Sequence, residues 1–245
     1  CHPKRASPEQ LQAIERECQD ADLIDFQYYK TALTLLERYP WLKEKKKLLS
    51  IYNPYCLEQS DWSDFDLVLA PNKEIYEKLG ELTTTPVEYV PLTVDTDFWT
   101  YNQDWQPNNN IIMVCNRIEG KKGVLPVAKA CKELELNFHL VGAISDANYF
   151  NEVVQTGAIF HQQISDEELR DLYYKSTVYV CNSVDRFESG TLPLLESMLC
   201  GVPILSRKVG HTPELNNGEN MVIHEGDPED VEALRDLLHD MVINK

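Results

Sequence analysis

The sequence has no Cys-x-x-Cys pair, no internal repeat, no low-complexity tract and no uninterrupted apolar stretch near the ~20 residues that span a bilayer. It is also short of positive charge. Against 40 Asp and Glu stand only 23 Lys and Arg, a formal net charge of −17 at pH 7. The deficit is spread along the chain, with 11 basic and 19 acidic groups in residues 1–105 and 12 and 21 in residues 106–245. Neither half has the positive field that a phosphate backbone requires, which argues against nucleic acid as a partner. No Ser-His-Asp or Cys-His arrangement is legible, and no His, Asp and Cys residues share metal-ligand spacing. The seven cysteines (Cys1, Cys18, Cys56, Cys115, Cys131, Cys181, Cys200) are odd in number. Cys115 and Cys181 lie in apolar runs, and Cys200 near the end of a helical pattern, where a thiol behaves as a small hydrophobe. This usage suits a reducing, cytoplasmic compartment rather than a disulfide framework. No signal peptide is visible. The chain opens at Cys1 rather than Met, which suits a truncated start or, as the weaker alternative, a mature lipoprotein.

What is present is an ordinary globular mixture: 245 residues, 43% hydrophobic and 26% charged, enough for one large domain or two small ones. Short β-rich runs alternate with helical patterns throughout. The predicted strands are Leu23–Phe26, Lys47–Tyr52, Asp66–Ala70 and Val87–Val90, then Ile111–Asn116, Phe138–Val141, Ala158–His161, Val178–Ser183, Ile204–Arg207 and Met221–His224. Most lack polar alternation, as strands covered by helices on both faces do. The pattern predicts an α/β fold with parallel sheets. Ser165 precedes a helical run with Glu168 placed to complete a capping box. Asp227–Pro228 reads as the start of the last helix. Gly201, with Pro203 after it, closes the helix over "LPLLESMLC". The polar stretch "WTYNQDWQPNNN" (Trp99–Asn110) reads as a link between two α/β units, giving an N-terminal unit over 1–100, a linker over 101–110 and a C-terminal unit over 111–245.

Two segments carry chemistry. In "NSVDRFESGTLPLLESMLCGVPILSR" (Asn182–Arg207), Gly190 and Thr191 fall where a helix begins, so their N–H groups and the helix dipole would face an anion. Glu188 and Glu196 stand with seven residues between them. A carboxylate grips vicinal hydroxyls, so the pair would hold two sugars either side of a phosphate. The alternative makes Glu188 a solvated loop charge and Glu196 an exposed helix residue. After the strand Ile111–Asn116 comes "CNRIEGKKG", in which Arg117 and Lys122 would suit a diphosphate at a strand's carboxyl end. Taken singly, each is more often an ordinary loop cation. "KEKKK" (Lys43–Lys47) would suit a peripheral contact with anionic lipid, although so short a run is more often a solvated helix end. His139 and His161 read as core or rim residues.

In order and spacing, "NRIEGKKG", "QISDEELRDLYYKSTVYVCNS", "FESGTLPLLESMLCGVPILSRKVGHTPEL" and "NNGENMVI" resemble the C-terminal domain of glycosyltransferase family four. "DFDLVLAPNKEIYEKL" and "VEYVPLTVDTDFW" are weaker N-terminal echoes. The resemblance implies a GT-B-like fold, two Rossmann-like parallel-sheet units facing across a cleft, and retaining transfer of a hexosyl group from a nucleoside-diphosphate sugar. It implies that Arg117 and Lys122 hold the diphosphate, Glu188 the donor sugar and Glu196 the ribose. Ser189, Gly190, Thr191 and Leu192 would lie along sugar and phosphate, Gln163 and Ile164 against the base, and His211 in a loop facing the sugar. It implies no metal or other cofactor. The acceptor stays open among a sugar, a lipid-linked glycan and a protein glycan.

The N-terminal part departs from the family's pattern. The glycine-rich first strand–loop has no counterpart, no His stands near Tyr52–Asn53, Leu92–Thr93 replaces an Asn-Gly, and no returning helix is evident at Lys245. That unit is either short or truncated. Three functions remain open at this point: a glycosyltransferase in glycan biosynthesis, a non-catalytic sugar-nucleotide-binding subunit or remnant, and, less well supported, a GT-B sugar-nucleotide epimerase.

Overall fold

The computed structural model describes residues 6–52, 57, 61–106, 108–184, 188 and 190–243. They form two compact units that divide between Leu92 and Thr93.

The first unit comprises α1 (Pro8–Asp20), β1 (Leu23–Phe26), α2 (Tyr29–Arg38), β2 (Lys46–Ser50), β3 (Leu67–Ala70), α3 (Lys73–Leu82) and β4 (Val87–Tyr89). Its sheet runs β1-β2-β3-β4, every pair parallel. Helix starts follow local chemistry. Ser7 and Gln10 form a reciprocal capping box on α1, and Asn72 accepts the Ile75 N–H at 2.8 Å to cap α3. Ile24, Leu36, Leu49, Trp62, Val68 and Leu79 are buried together as its core. The lysine run is largely engaged within the unit. Lys45 Nζ donates to the carbonyls of Gln19 and Ala21 at 2.7 and 2.9 Å. Lys47 is buried and donates to the Lys43 carbonyl at 2.9 Å. Lys43 faces Asp64 at 3.5 Å.

The second unit comprises β5 (Asn110–Ile118), α4 (Val124–Glu133), β6 (Asn137–Ile144), α5 (Ala147–Val154), β7 (Ile159–His161), α6 (Asp166–Tyr174), β8 (Val178–Cys181), α7 (Leu192–Leu199), β9 (Ile204–Arg207), α8 (Thr212–Leu215), β10 (Met221–His224) and α9 (Val231–Ile243). All its strand pairs are parallel, in the order β10-β9-β8-β5-β6-β7. Counting from β5 as first, this is the doubly wound order 3-2-1-4-5-6, whose direction of winding reverses between β5 and β8. Alternate residues of one strand serve opposite faces. Ile111, Met113 and Cys115 join the layer made by α4 and α9, while Ile112 joins the layer made by α6 and α7. Both faces are therefore apolar, which is why the strands read without polar alternation.

Each strand expected from the sequence is present, β1, β9 and β10 with the expected ends and the others with an end shifted by up to three residues. At Ser165 the capping box forms as expected, the hydroxyl accepting the Glu168 N–H while the Glu168 carboxylate accepts from Ser165 N. Gly201 stops α7 with φ +82°. Its N–H bonds the Met198 carbonyl and the Val202 N–H the Ser197 carbonyl, both at 3.0 Å, the paired pattern of a Schellman stop. Three expectations need correction. First, β5 does not end at Asn116 but continues through a register shift to Ile118, so Arg117 lies within the strand. Second, α9 starts at Val231, and its cap is Asp230, which accepts the Ala233 N–H at 3.0 Å, rather than Asp227. Third, the stretch expected to link the units groups with the second one. Its aromatic and amide side chains hold it there: Trp99 is buried against Tyr173 with ring centroids 5.8 Å apart. Trp105 Nε1 donates to the Ser176 carbonyl at 2.9 Å, and Asn108 N donates to Thr177 Oγ1 at 2.8 Å.

Candidate functional site

In a doubly wound sheet the loops leaving the two strands at the reversal diverge and leave a crevice at their carboxyl ends. Here those strands are β5 and β8, and their loops are the two segments that the sequence singles out. They are tied together. The Val184 N–H donates to the Lys121 carbonyl at 2.9 Å. Asn182 Nδ2 donates to the carbonyls of Gly123 and Pro228, at 3.1 and 2.8 Å. Gly123 sits at φ +59°, where a Cβ would lie 2.4 Å from the Asn182 carbonyl oxygen, so only glycine lets the first loop pass this close to the second.

This arrangement brings Lys122 and Glu188 together, 66 positions apart in the chain. Lys122 Nζ donates to Glu188 Oε1, and Ser183 Oγ donates to the same oxygen at 2.8 Å. The two charged side chains are only 10% and 14% exposed. Each is thus an ion held out of water by its partner, a situation in which loss of either charge is costly. Glu188 is not the solvated loop charge of the alternative reading. Arg117 stands apart: its side chain is 63% exposed and its Nε faces Glu119 Oε1 at 3.7 Å.

At the start of α7, Gly190 is half-buried and Leu192, the first helical residue, is exposed. Ser189 lies outside the described residues. The Thr191 N–H, expected to face an anion, points instead to His211 Nε2 at 3.4 Å. An imidazole nitrogen that accepts is the unprotonated one, which assigns the proton of a neutral ring to Nδ1. Burial pushes the His211 imidazole below its ordinary value, in keeping with that role. One turn further on, Glu196 is half-buried and Tyr173 donates to its Oε2 at 3.1 Å. Burial raises the Glu196 carboxyl above the usual carboxylate range, and the Tyr173 hydroxyl opposes that rise. Gln163 sits in the loop between β7 and α6 at φ +53°, a strained position for a residue with a side chain, and the adjoining Ile164 packs on the α6–α7 core.

The family model for glycosyl transferases group 1 matches residues 95–244, more than half of the chain. The chain belongs to that family. Its matched part contains both strands of the reversal and both loops. Several solved structures share the fold of this group 1 chain. A sucrose-phosphate synthase from Thermosynechococcus elongatus is 18% identical over 95% of this chain and 67% of its own, with a TM-score of 0.74. Anabaena Alr3699/HepE, solved in complex with UDP and glucose, is 15% identical over 95% and 72%, with a TM-score of 0.75. The C-terminal domain of a group 1 protein, LpcC, from Francisella tularensis is 24% identical over 62% and 89%, with a TM-score of 0.52. These likenesses establish the fold, two Rossmann-like units of the GT-B type. No curated protein matches the sequence at a significant level. Among the described residues, no helix is long and apolar enough to cross a membrane, and no three His, Cys, Asp or Glu side chains are grouped to hold a metal ion.

Sequence reasoning missed two members of this site, Ser183 and Tyr173. Ser183 carries a faint signal, a hydroxyl just beyond a buried strand that ends in the site. Tyr173 carries none, because an inward-facing tyrosine in an amphipathic helix reads as core. His139 and His161, read as core or rim residues, stack at the sheet edge with Nδ1 and Nε2 3.0 Å apart.

Burial holds the imidazoles of His139, His161 and His211 below their ordinary value. The unfolded chain therefore binds more protons than the folded chain as pH falls through about 6.5, and stability is lost over that range. Glu196, whose carboxyl is raised, acts in the opposite sense at lower pH. Thermal unfolding is expected to show a midpoint that drops between about pH 7.5 and 5.5. In His211→Asn this slope should shrink, and an unchanged slope would mean that His211 takes up its proton freely in the folded state.

Proposed function

We propose that the chain is a retaining transferase of glycosyltransferase family four that takes a hexosyl group from a nucleoside-diphosphate sugar without a metal ion. The observation that carries this reading is the Lys122–Glu188 pair, a cation and a carboxylate set side by side in the crevice of the winding reversal, with Glu196 eight positions further along. In this reading Lys122 receives the diphosphate, assisted by Arg117. Glu188 faces the donor sugar, Glu196 the ribose, and Gln163 and Ile164 the base. Ser189, Gly190, Thr191 and Leu192 line the sugar and phosphate side, and His211 holds the Thr191 end of that wall. During transfer, the bond from the anomeric carbon to the diphosphate oxygen breaks and its electron pair leaves with the nucleoside diphosphate. The acceptor oxygen bonds to the same face of the sugar, and the acceptor's proton passes to the departing phosphate. Charge accumulates on the leaving group, where a fixed ammonium lowers the barrier. That Anabaena Alr3699/HepE was solved with UDP and glucose supports a nucleotide-sugar donor.

The test incubates the full chain with UDP-, ADP- and GDP-hexoses and a panel of sugar, lipid-linked and glycopeptide acceptors, with and without EDTA. The expected result is a glycoside whose anomeric proton coupling matches that of the donor, formed equally well with EDTA. An inverted product would remove retention, and a strict divalent-ion requirement would remove metal independence. Tight nucleoside diphosphate binding with no product from any donor would instead mark a binding module.

A further inference from the structure

Glu196 raises a problem that the motif alone does not solve. A carboxylate that grips two hydroxyls must be ionised and must hold one orientation, yet this one is half-buried on the apolar helix α7, where burial favours its neutral form. Something must hold the charge in place. The candidate is Tyr173, 23 positions earlier on a different helix. Its side chain has no exposure, and its ring is fixed edge-on between Trp99 and Tyr179, at centroid distances of 5.8 and 6.2 Å. The hydroxyl at the end of that immobile ring lies 3.1 Å from Glu196 Oε2 and 3.3 Å from the Pro193 carbonyl in the first turn of α7. A phenol has one proton, and the carboxylate is the shorter and stronger acceptor.

We infer that Tyr173 is a positioning residue for nucleotide recognition: its buried hydroxyl fixes Oε2 of Glu196, keeps the carboxylate charged and turns the other oxygen towards the ribose hydroxyls. This rests on the reading of Glu196 as the ribose contact. Tyr173 is the eighth residue of α6, whose first turn is capped by Ser165 immediately after Gln163 and Ile164. A helix rises about 1.5 Å per residue, so α6 is a strut of roughly 12 Å joining the base-side loop to the ribose carboxylate. Base and ribose contacts then share one rigid support, and the aromatic stack on Trp99 sets its position.

Tyr173→Phe keeps the ring and removes only the hydroxyl. Uridine and adenosine diphosphates are titrated into the full-length wild-type, Tyr173→Phe and Glu196→Gln chains by calorimetry, alongside the 2′,3′-dideoxy form of whichever binds. Expected for Tyr173→Phe are an unchanged fold by circular dichroism, about tenfold weaker binding of the ribonucleotide, and a donor KM raised in proportion with kcat within about twofold. The dideoxy nucleotide, which offers Glu196 nothing to grip, should bind wild type and Tyr173→Phe equally. Binding should also fall away at higher pH in the variant than in wild type, because the carboxyl without its donor protonates more readily. If Glu196→Gln weakens the ribonucleotide but Tyr173→Phe does not, the inference fails and the ribose reading stands. If Tyr173→Phe weakens both nucleotides equally, the tyrosine is a packing residue and the inference again fails. If Glu196→Gln binds like wild type, the ribose reading itself is wrong and the inference falls with it.

Discussion

Glu188→Gln is expected to slow sugar transfer by about 10²–10³-fold, the usual cost of a contact specific to the transition state, while nucleoside diphosphate binding tightens rather than weakens. The two effects have separate causes. Positive charge develops on the sugar as the bond to the diphosphate breaks, and a carboxylate facing it stabilises the transition state more than the ground state, so its loss falls on kcat. Binding is governed by Lys122. In the free chain its ammonium is already committed to Glu188 Oε1, an oxygen that also takes the Ser183 hydroxyl at 2.8 Å. An arriving diphosphate competes with Glu188 for that cation. An amide keeps the hydrogen bond but no longer balances the charge of the buried ammonium, so the free variant carries an uncompensated cation that an arriving diphosphate neutralises. Nucleoside diphosphate affinity should therefore rise by roughly tenfold or more, read by calorimetry on the same preparation used for turnover. If affinity falls as far as turnover does, Glu188 holds the diphosphate directly and its assignment to the sugar is lost.

The parts of this molecule legible in its sequence are those fixed within a few neighbouring residues. Apolar runs such as Val178–Cys181 announce strands because both faces of the sheet are covered. Ser165 with Glu168, and Gly201 after Leu199, mark helix ends because the groups that satisfy the helix backbone lie within a turn of it. The placement of Glu188 and Lys122 at the winding reversal was accessible too, since alternating strands and helices fix where the strand ends lie. Contacts that depend on distant residues were not accessible. A polar run such as Trp99–Asn110 reads as a link until Trp99 is seen buried against Tyr173, and nothing local reveals that packing. The Thr191 N–H looked available to an anion because its competitor, His211, stands 20 positions away. The pairing of Lys122 is not legible either, because its partner is 66 positions distant, and that pairing makes it a buried charge rather than a solvated one.

That last distinction sets the largest expected effect on stability. Lys122→Met preserves the side chain's length and apolar stem but removes its charge, leaving Glu188, 14% exposed in the native chain, without its ammonium and, among the described residues, with the Ser183 hydroxyl as its remaining hydrogen-bond donor. Breaking a buried pair by removing one partner costs about 3–5 kcal/mol, because the remaining ion has lost both water and its counter-charge. For a unit of this size that corresponds to a fall of roughly 10 °C in the thermal midpoint. The double variant Lys122→Met with Glu188→Gln contains no orphaned charge. It should recover most of the lost stability even though two native groups are missing, since replacing both members of a buried pair is far milder than removing one. Its function should not recover: without the ammonium, nucleoside diphosphate affinity should stay low in the single and the double variant alike. Recovery of stability without recovery of binding separates the structural role of the pair from its role at the phosphate. A double variant no more stable than Lys122→Met would mean that the lysine stabilises the loop by packing, and that the charge on Glu188 is solvated by other means.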